Sequence, residues 1–210
     1  MNEKNTGSLI AALLDGNREG AVAEAKRLLA GGVSEKEIIV DGLQAAMAKL
    51  DAKCTVEQFN LLEIMLVGRA LTAVVNEIYP HGAPRDNTKG TIVVASLEGD
   101  IHDIGKNIVK MVLGGNGYRV VDCGKDCPVE KLVNSAEKEG AFAVFISGLI
   151  TSVIPHVRRV KDMLSEKGLS HVKVAAGGAA LKQSSKESLN VDFVAETVFD
   201  GAHYIESIKD

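Results

Sequence analysis

A chain of 210 residues has room for one domain or two, at about 150 residues per domain. Its 46% hydrophobic content excludes disorder throughout, and a net charge of −4 leaves no general electrostatic case for a nucleic-acid or acidic-membrane partner. Tryptophan is absent and aromatics are 4%, so stacking platforms for bases or glycans are scarce, while 21 glycines predict tight turns and close backbone approaches.

The opening MNEKNTGSLIAALLDG has one lysine, a short apolar stretch and no cleavage-site pattern. No apolar run approaches the ~18 residues of a membrane helix. Cys54, Cys123 and Cys127 are too few and too irregular for a disulfide framework, so a cytoplasmic protein with no membrane partner is expected. Helical pattern follows at once. Ala21, Val22, Ala25, Leu28 and Leu29 share a face that ends at Gly31-Gly32, and Ser34 with Glu37 forms a capping box ahead of Ile39, Leu43, Ala46 and Leu50. Thr55 with Gln58 predicts a second capping box. It opens a run from Val56 to about Ile78 that is apolar on most sides at Phe59, Leu62, Leu66, Ala70, Val74 and Ile78. Such a helix is expected at the centre of a bundle of three or four helices. Two of the four prolines lie between Tyr79 and Arg85, which predicts a linker near 80–88 and a division into a helical domain, 1–86, and a second domain, 87–210.

From Gly90 the period changes. Strands are predicted at Thr91–Leu97, Tyr118–Asp122, Phe142–Ser147, Val172–Ala176 and Asp192–Ala195. The helices between them run through Ile108 and Val112 to Gly114-Gly115, over Val129–Lys138, and to about Lys167 with Pro155 in the first turn. Continuous apolar strands alternating with helices argue an α/β domain with a parallel sheet covered on both faces, Rossmann-like in its flavodoxin-like form. Ligands of such sheets bind beyond the carboxyl ends of the strands, so the informative loops follow Leu97, Asp122, Ile146, Ala176 and Ala195.

The first of these loops reads Glu98-Gly-Asp-Ile-His-Asp-Ile-Gly-Lys-Asn107. Taken alone, it is what a solvated strand-to-helix connection with a capping aspartate looks like. It fits neither phosphate-binding glycine pattern, since Gly105-Lys106 is followed by Asn107. Zinc is disfavoured because Cys123 and Cys127 have three residues between them and no second ligand pair at the right spacing, which leaves a buried strand-end residue and a helix-proximal thiol.

Three pieces together resemble a known family. Gly99-Asp100-Ile101-His102-Asp103-Ile104-Gly105 is similar to the D-x-H-x-x-G signature of cobalamin-binding proteins, in the extended form found in corrinoid proteins of methyl-transfer systems and in cobalamin-dependent methionine synthase. Ser147-Gly148-Leu149, followed by Ile150-Thr151-Ser152, resembles that family's S-x-L, and Gly177-Gly178-Ala179 its glycine pair. Val120–Gly124 resembles its second strand and turn, and the front helices resemble its helical cap. The resemblance implies cobalamin or a related corrinoid bound base-off, with His102 as the lower cobalt ligand, Asp100 accepting from the other ring nitrogen and Ser147 extending the relay. It further implies that Gly99, Ile101, Asp103, Ile104 and Leu149 line the cofactor and that Gly105 gives the nucleotide tail room. Gly177, Gly178 and Ala179 would pass close to the tail, and Thr151 and Ser152 would offer it hydroxyls. The chain departs from the family at Gly42–Met47, which lacks the cap's second glycine and carries Met47 instead, at Val56-Glu57-Gln58, which replaces a proline turn, and at Asn190–Phe193.

The function so implied is a methyl-carrier subunit of an anaerobic methyltransferase system. It would accept a methyl group on Co(I) and pass it to a tetrahydrofolate, another pterin or a thiol. A substrate-specific methyltransferase, an acceptor methyltransferase and a reductive activator would be its partners. About 80 residues of bundle and 120 of sheet leave no room for a catalytic barrel of about 250, so a component that is not catalytic alone is expected. Two alternatives are a cobalamin-dependent sensor, which lacks any basic DNA-reading helix here, and the small subunit of an adenosylcobalamin mutase, whose barrel a helical cap would obstruct.

Overall fold

The computed structural model describes residues 6–53, 60–80 and 88–209. The predicted capping box at Thr55–Gln58, together with Cys54, Phe59 and most of the predicted linker, lies outside the described residues. The chain divides into two compact units, Met1–Lys89 with Met111–Tyr118, and Gly90–Lys110 with Arg119–Asp210.

The first unit holds α1 (Gly7–Leu14), α2 (Arg18–Ala30), α3 (Glu35–Glu37), α4 (Ala45–Lys53) and α5 (Leu61–Ile78). Asn17 caps α2 by accepting from the Gly20 N–H, and the Ser34–Glu37 capping box forms with both reciprocal bonds. The helix expected behind Ser34 is not continuous. Between α3 and α4 it widens into a π-helical segment, Ile38–Gln44, that contains Gly42. A Cβ at Gly42 would lie 2.8 Å from Leu9 Cδ2, so glycine lets α1 close onto this segment. Met47 is buried and seats against Gly115.

α5 corrects another expectation. Its buried stripe is Ile64, Val67, Leu71, Val74 and Ile78, whereas Leu62 and Leu66 are 65% and 40% exposed. At 100° per residue, position 62 lies about 200° from position 64, so a helix buried along one stripe leaves Leu62 on the far side.

The second unit is a five-stranded parallel sheet in the order β2-β1-β3-β4-β5. Its strands are β1 (Thr91–Ser96), β2 (Arg119–Asp122), β3 (Ala143–Ser147), β4 (Lys173–Gly177) and β5 (Phe193–Ala195). β1 pairs β3 from Ile92 opposite Ala143 to Ser96 opposite Ser147, so the two strands end level. The connecting helices are α6 (Ile104–Gly115), α7 (Val129–Glu139), α8 (Ile154–Glu166), the single turn α9 (Lys186–Leu189) and α10 (Val198–Ser207). α7 and α8 cover one face through Leu132, Val133, Val157 and Val160 against Val93, Val144 and Val174. On α10, a Cβ at Gly201 would meet the Phe145 ring at 2.8 Å, and at the sheet edge Tyr204 stacks on Phe193 with centroids 4.5 Å apart. In this strand order the chain leaves β1 toward β2 and then crosses back to β3, so the switch point of the sheet, where ligands of such folds bind, lies at the carboxyl ends of β1 and β3.

Candidate functional site

The carboxyl ends of β1 and β3 are organised around one buried carboxylate. β1 ends at Ser96, and the loop that follows turns at Gly99, whose φ of +89° is a conformation side-chain-bearing residues rarely adopt. Asp100 then points inward and is fully buried. Its Oδ1 accepts from the His102 amide at 2.9 Å and from the imidazole Nδ1 at 2.7 Å, while Oδ2 accepts from the Leu149 amide at 2.7 Å. Ser96 Oγ donates to the His102 carbonyl at 2.8 Å. One carboxylate therefore fixes the histidine's backbone and ring and ties the loop after β1 to the loop after β3.

Burial pushes the Asp100 carboxyl up, but the Leu149 and His102 amides and the imidazole more than offset it, and the group sits below its ordinary value. An ionised carboxylate only accepts, so Nδ1 is the donor in this bond and Nε2 is the ring nitrogen turned away from Asp100. The His102 side chain is 50% exposed although its partner has no exposure. Ile101, Ile104 and Leu149 are exposed at 65%, 57% and 48%, which leaves aliphatic surface on both loops beside an available ring nitrogen.

The structure brings most of the predicted residues to these strand ends and gives several of them partners within the chain. Among the described residues no hydrogen bond joins Ser147 to Asp100, and the Leu149 amide donates to the second carboxylate oxygen. The Ser147 hydroxyl occupies the space beside Gly105, where a Cβ would stand 2.8 Å from Ser147 Oγ. The glycine pair answers first to the chain itself. Gly178 has φ +101°, and a Cβ there would lie 2.5 Å from the Gly148 carbonyl, while Gly148 N–H donates to Gly177 O at 2.9 Å. Thr151 and Ser152 lie in a short 3₁₀ turn after Leu149, with Ser152 Oγ beside Gly99. Asp103 accepts from the Asn107 amide through its carbonyl, and Ala179 is exposed just past the glycine pair.

Several residues had no local signal. Lys106, buried, donates from Nζ to both Asp122 oxygens at 2.7 Å and to Asn107 Oδ1 at 2.9 Å, locking the first turn of α6 onto the end of β2. Burial raises the Asp122 carboxyl, and Lys106, the Gly124 amide and Lys110 draw it below its usual value. Asp126 and Ser96 hold the His102 loop by hydrogen bonds. Cys123 and Cys127 are both buried free thiols. Each shifts the other: the neighbouring Cys127 thiol lowers Cys123 against the effect of burial, and Cys127 is raised. Among the described residues no cluster of three or more His, Cys, Asp or Glu is arranged to hold a metal ion, and no helix is long and apolar enough to cross a membrane.

A parallel sheet of order 2-1-3-4-5 with a carboxylate-held imidazole at its switch point, joined to a helical unit, is the architecture of a cofactor-binding α/β protein with an amino-terminal helical region. The B12 binding domain family matches residues 90–206, and a second family of the same description matches residues 7–79. Dimethylamine corrinoid protein 2 of Methanosarcina mazei is 36% identical over 180 residues, covering 84% of this chain and 82% of that protein. Dimethylamine corrinoid protein 1 of Methanosarcina acetivorans is 34% identical over 85% of each chain. Among solved structures, the methanol:cobalamin methyltransferase complex MtaBC from Methanosarcina barkeri aligns with a TM-score of 0.84 at 26% identity, covering all of this chain and 81% of that one. A cobalamin-binding protein from Desulfitobacterium hafniense DCB-2 aligns at 0.75, also at 26% identity, covering 97% of this chain and 98% of that one. The chain belongs to the B12-binding family of corrinoid proteins, with the family's amino-terminal cap.

Proposed function

We propose that this protein is the methyl-carrying corrinoid subunit of a methyltransferase system, with the corrinoid bound base-off and His102 as its lower ligand. The observation that carries the reading is the Asp100–His102 pair, in which Asp100 engages Nδ1 and leaves Nε2 as the ring nitrogen directed away from it, at the switch point between two aliphatic loop edges. The donor set fits the group: a neutral imidazole whose far nitrogen is held by a carboxylate is a well-oriented and basic ligand. A bound corrinoid supplies a cobalt centre that takes up and releases a methyl group.

The chain's own residues hold and tune that ligand. Asp100 keeps the proton on Nδ1, and the Leu149 amide keeps Asp100 ionised and aimed. Ile101, Ile104 and Leu149 offer apolar surface beside the ring, and Thr151 and Ser152 offer hydroxyls for amide or phosphate groups of the cofactor. Relatives named for dimethylamine, trimethylamine and methanol support small methylated donors, each handled by a partner methyltransferase. A second methyltransferase would pass the methyl group to a pterin or thiol, and a reductive activator would restore the system.

The test is reconstitution of the purified chain with hydroxocobalamin under reducing conditions, followed by gel filtration and electron paramagnetic resonance of the Co(II) form. The expected result is a coloured protein with nitrogen splitting that disappears in His102→Ala. A colourless eluate, or the same splitting in the variant, overturns the assignment.

A further inference from the structure

The loop that presents His102 is held on its inner side by the Leu149 amide and on its outer side by the turn between β2 and α7. The outer grip follows the chain residue by residue. Cys127 N–H donates to Ser96 O at 3.0 Å, Leu97 bridges to Cys127, and Glu98 N–H donates to Cys127 O at 2.9 Å. Gly99 N–H then donates to Asp126 Oδ1 at 2.9 Å, and Asp126 N–H donates to Asp100 O at 3.0 Å. Every one of these bonds but one is between backbones. The exception is the Asp126 carboxylate.

Asp126 holds that position at a φ of +49°, in the left-handed region where aspartate and asparagine are tolerated better than most side chains. This conformation lets one residue grip the chain on both sides of the Gly99–Asp100 peptide, its carboxylate taking the Gly99 amide and its own amide serving the Asp100 carbonyl. The backbone of Asp100 is thereby fixed immediately before its side chain reaches His102 Nδ1. We infer that Asp126 is a positioning residue for the cobalt ligand, holding the Gly99–Asp100 turn so that the Asp100–His102 pair is preorganised for axial coordination. The inference rests on the reading of His102 as that ligand. It adds to it an outer support 27 residues away in sequence.

Two variants separate the support from general stability. Asp126→Gly accepts the left-handed backbone without strain and removes the carboxylate, whereas Asp126→Asn keeps an acceptor oxygen for the Gly99 amide. In the reconstituted Co(II) protein, Asp126→Gly is expected to shift the equilibrium between histidine-on and histidine-off forms about tenfold toward histidine-off, and Asp126→Asn to stay within about twofold of wild type. Circular dichroism and the unfolding midpoint report folding separately. A wild-type ratio in Asp126→Gly, or an equal loss in Asp126→Asn, overturns the role of the carboxylate while leaving His102 as ligand. Absence of nitrogen splitting in the wild type removes the His102 reading, and the positioning role falls with it. Should Asp126→Gly not fold, amide hydrogen exchange on the wild-type chain decides: Gly99 is expected to be protected, and exchange as fast as an unstructured amide overturns the proposal.

Discussion

In the helical unit the deepest side chains are aliphatic, with Leu9, Leu13, Ile38, Leu43 and Leu50 among them. In the sheet unit the same depth also holds Thr91, Ser96, Asp100 and Lys106, the four buried polar or charged residues of the described chain, all within one strand and the loop and helix start that follow it. The difference is one of direction. Aliphatic contacts depend on volume and tolerate rearrangement, whereas a buried carboxylate or ammonium requires partners at particular angles and distances. The second unit therefore places its buried polar groups where its structure is least forgiving.

The largest effect that would test this contrast is at Asp100. Asp100→Ala leaves the Leu149 and His102 amides without their acceptor inside the protein, and a loss of about 3 kcal/mol is expected from urea unfolding of the apo-protein. Leu50→Met, a volume-conserving change at an equally buried site of the helical unit, is expected to cost less than about 1.5 kcal/mol. Equal losses would erase the distinction between the two units.

Glycines sharpen it further. Alanine at Gly178 meets the Gly148 carbonyl at 2.5 Å with φ at +101°, and backbone cannot give way as a side chain can, so about 2–3 kcal/mol is expected. Alanine at Gly42 meets only the tip of the Leu9 side chain at 2.8 Å, and the helical preference for alanine offsets part of the adjustment, leaving about 1 kcal/mol or less by the same measurement. A substitution at Gly178 is thus expected to impair folding itself, not cofactor loading alone.

The same contrast sets what could be read from the sequence. The strands were legible because parallel strands buried on both faces are unbroken apolar runs, as in Thr91–Leu97, and the loop after β1 was legible because its residue types match a family motif. The capping box at Ser34 was legible because both partners lie within one turn. One partner of Asp100 was not: the Leu149 amide lies 49 residues away, and a backbone N–H has no residue-type signature. Lys106 pairs with Asp122 across 16 residues, a spacing set by the β1–α6–β2 connection and not by any local period. In the helical unit, periodicity revealed the apolar repeat but misassigned Leu62 and Leu66, because a run apolar on most sides does not itself say which stripe is buried.

The smallest effect concerns acid. Asp192 accepts from Lys161 Nζ at 2.6 Å and from the Val174 amide at 2.9 Å; burial raises its carboxyl, and these two donors with Lys173 bring it below the ordinary value of 3.8. Because the folded-state value is the lower one, the unfolded chain takes up the proton first as pH falls. The stabilisation is complete above the ordinary value and is lost as pH falls through the folded-state value. Asp122, also in the sheet unit, follows the same sign. The Lys161 side chain is 36% exposed, so screening by salt keeps the ion-pair contribution small. Asn at position 192 retains an acceptor for the Val174 amide and removes the titration. The unfolding free energy of Asp192→Asn is therefore expected to fall less steeply than that of the wild type between about pH 5 and pH 3, with the difference shrinking at high ionic strength. Parallel acid profiles for the two proteins would mean that the β4–β5 edge contributes nothing to acid sensitivity and that the lowered carboxyls beside the His102 loop carry it alone.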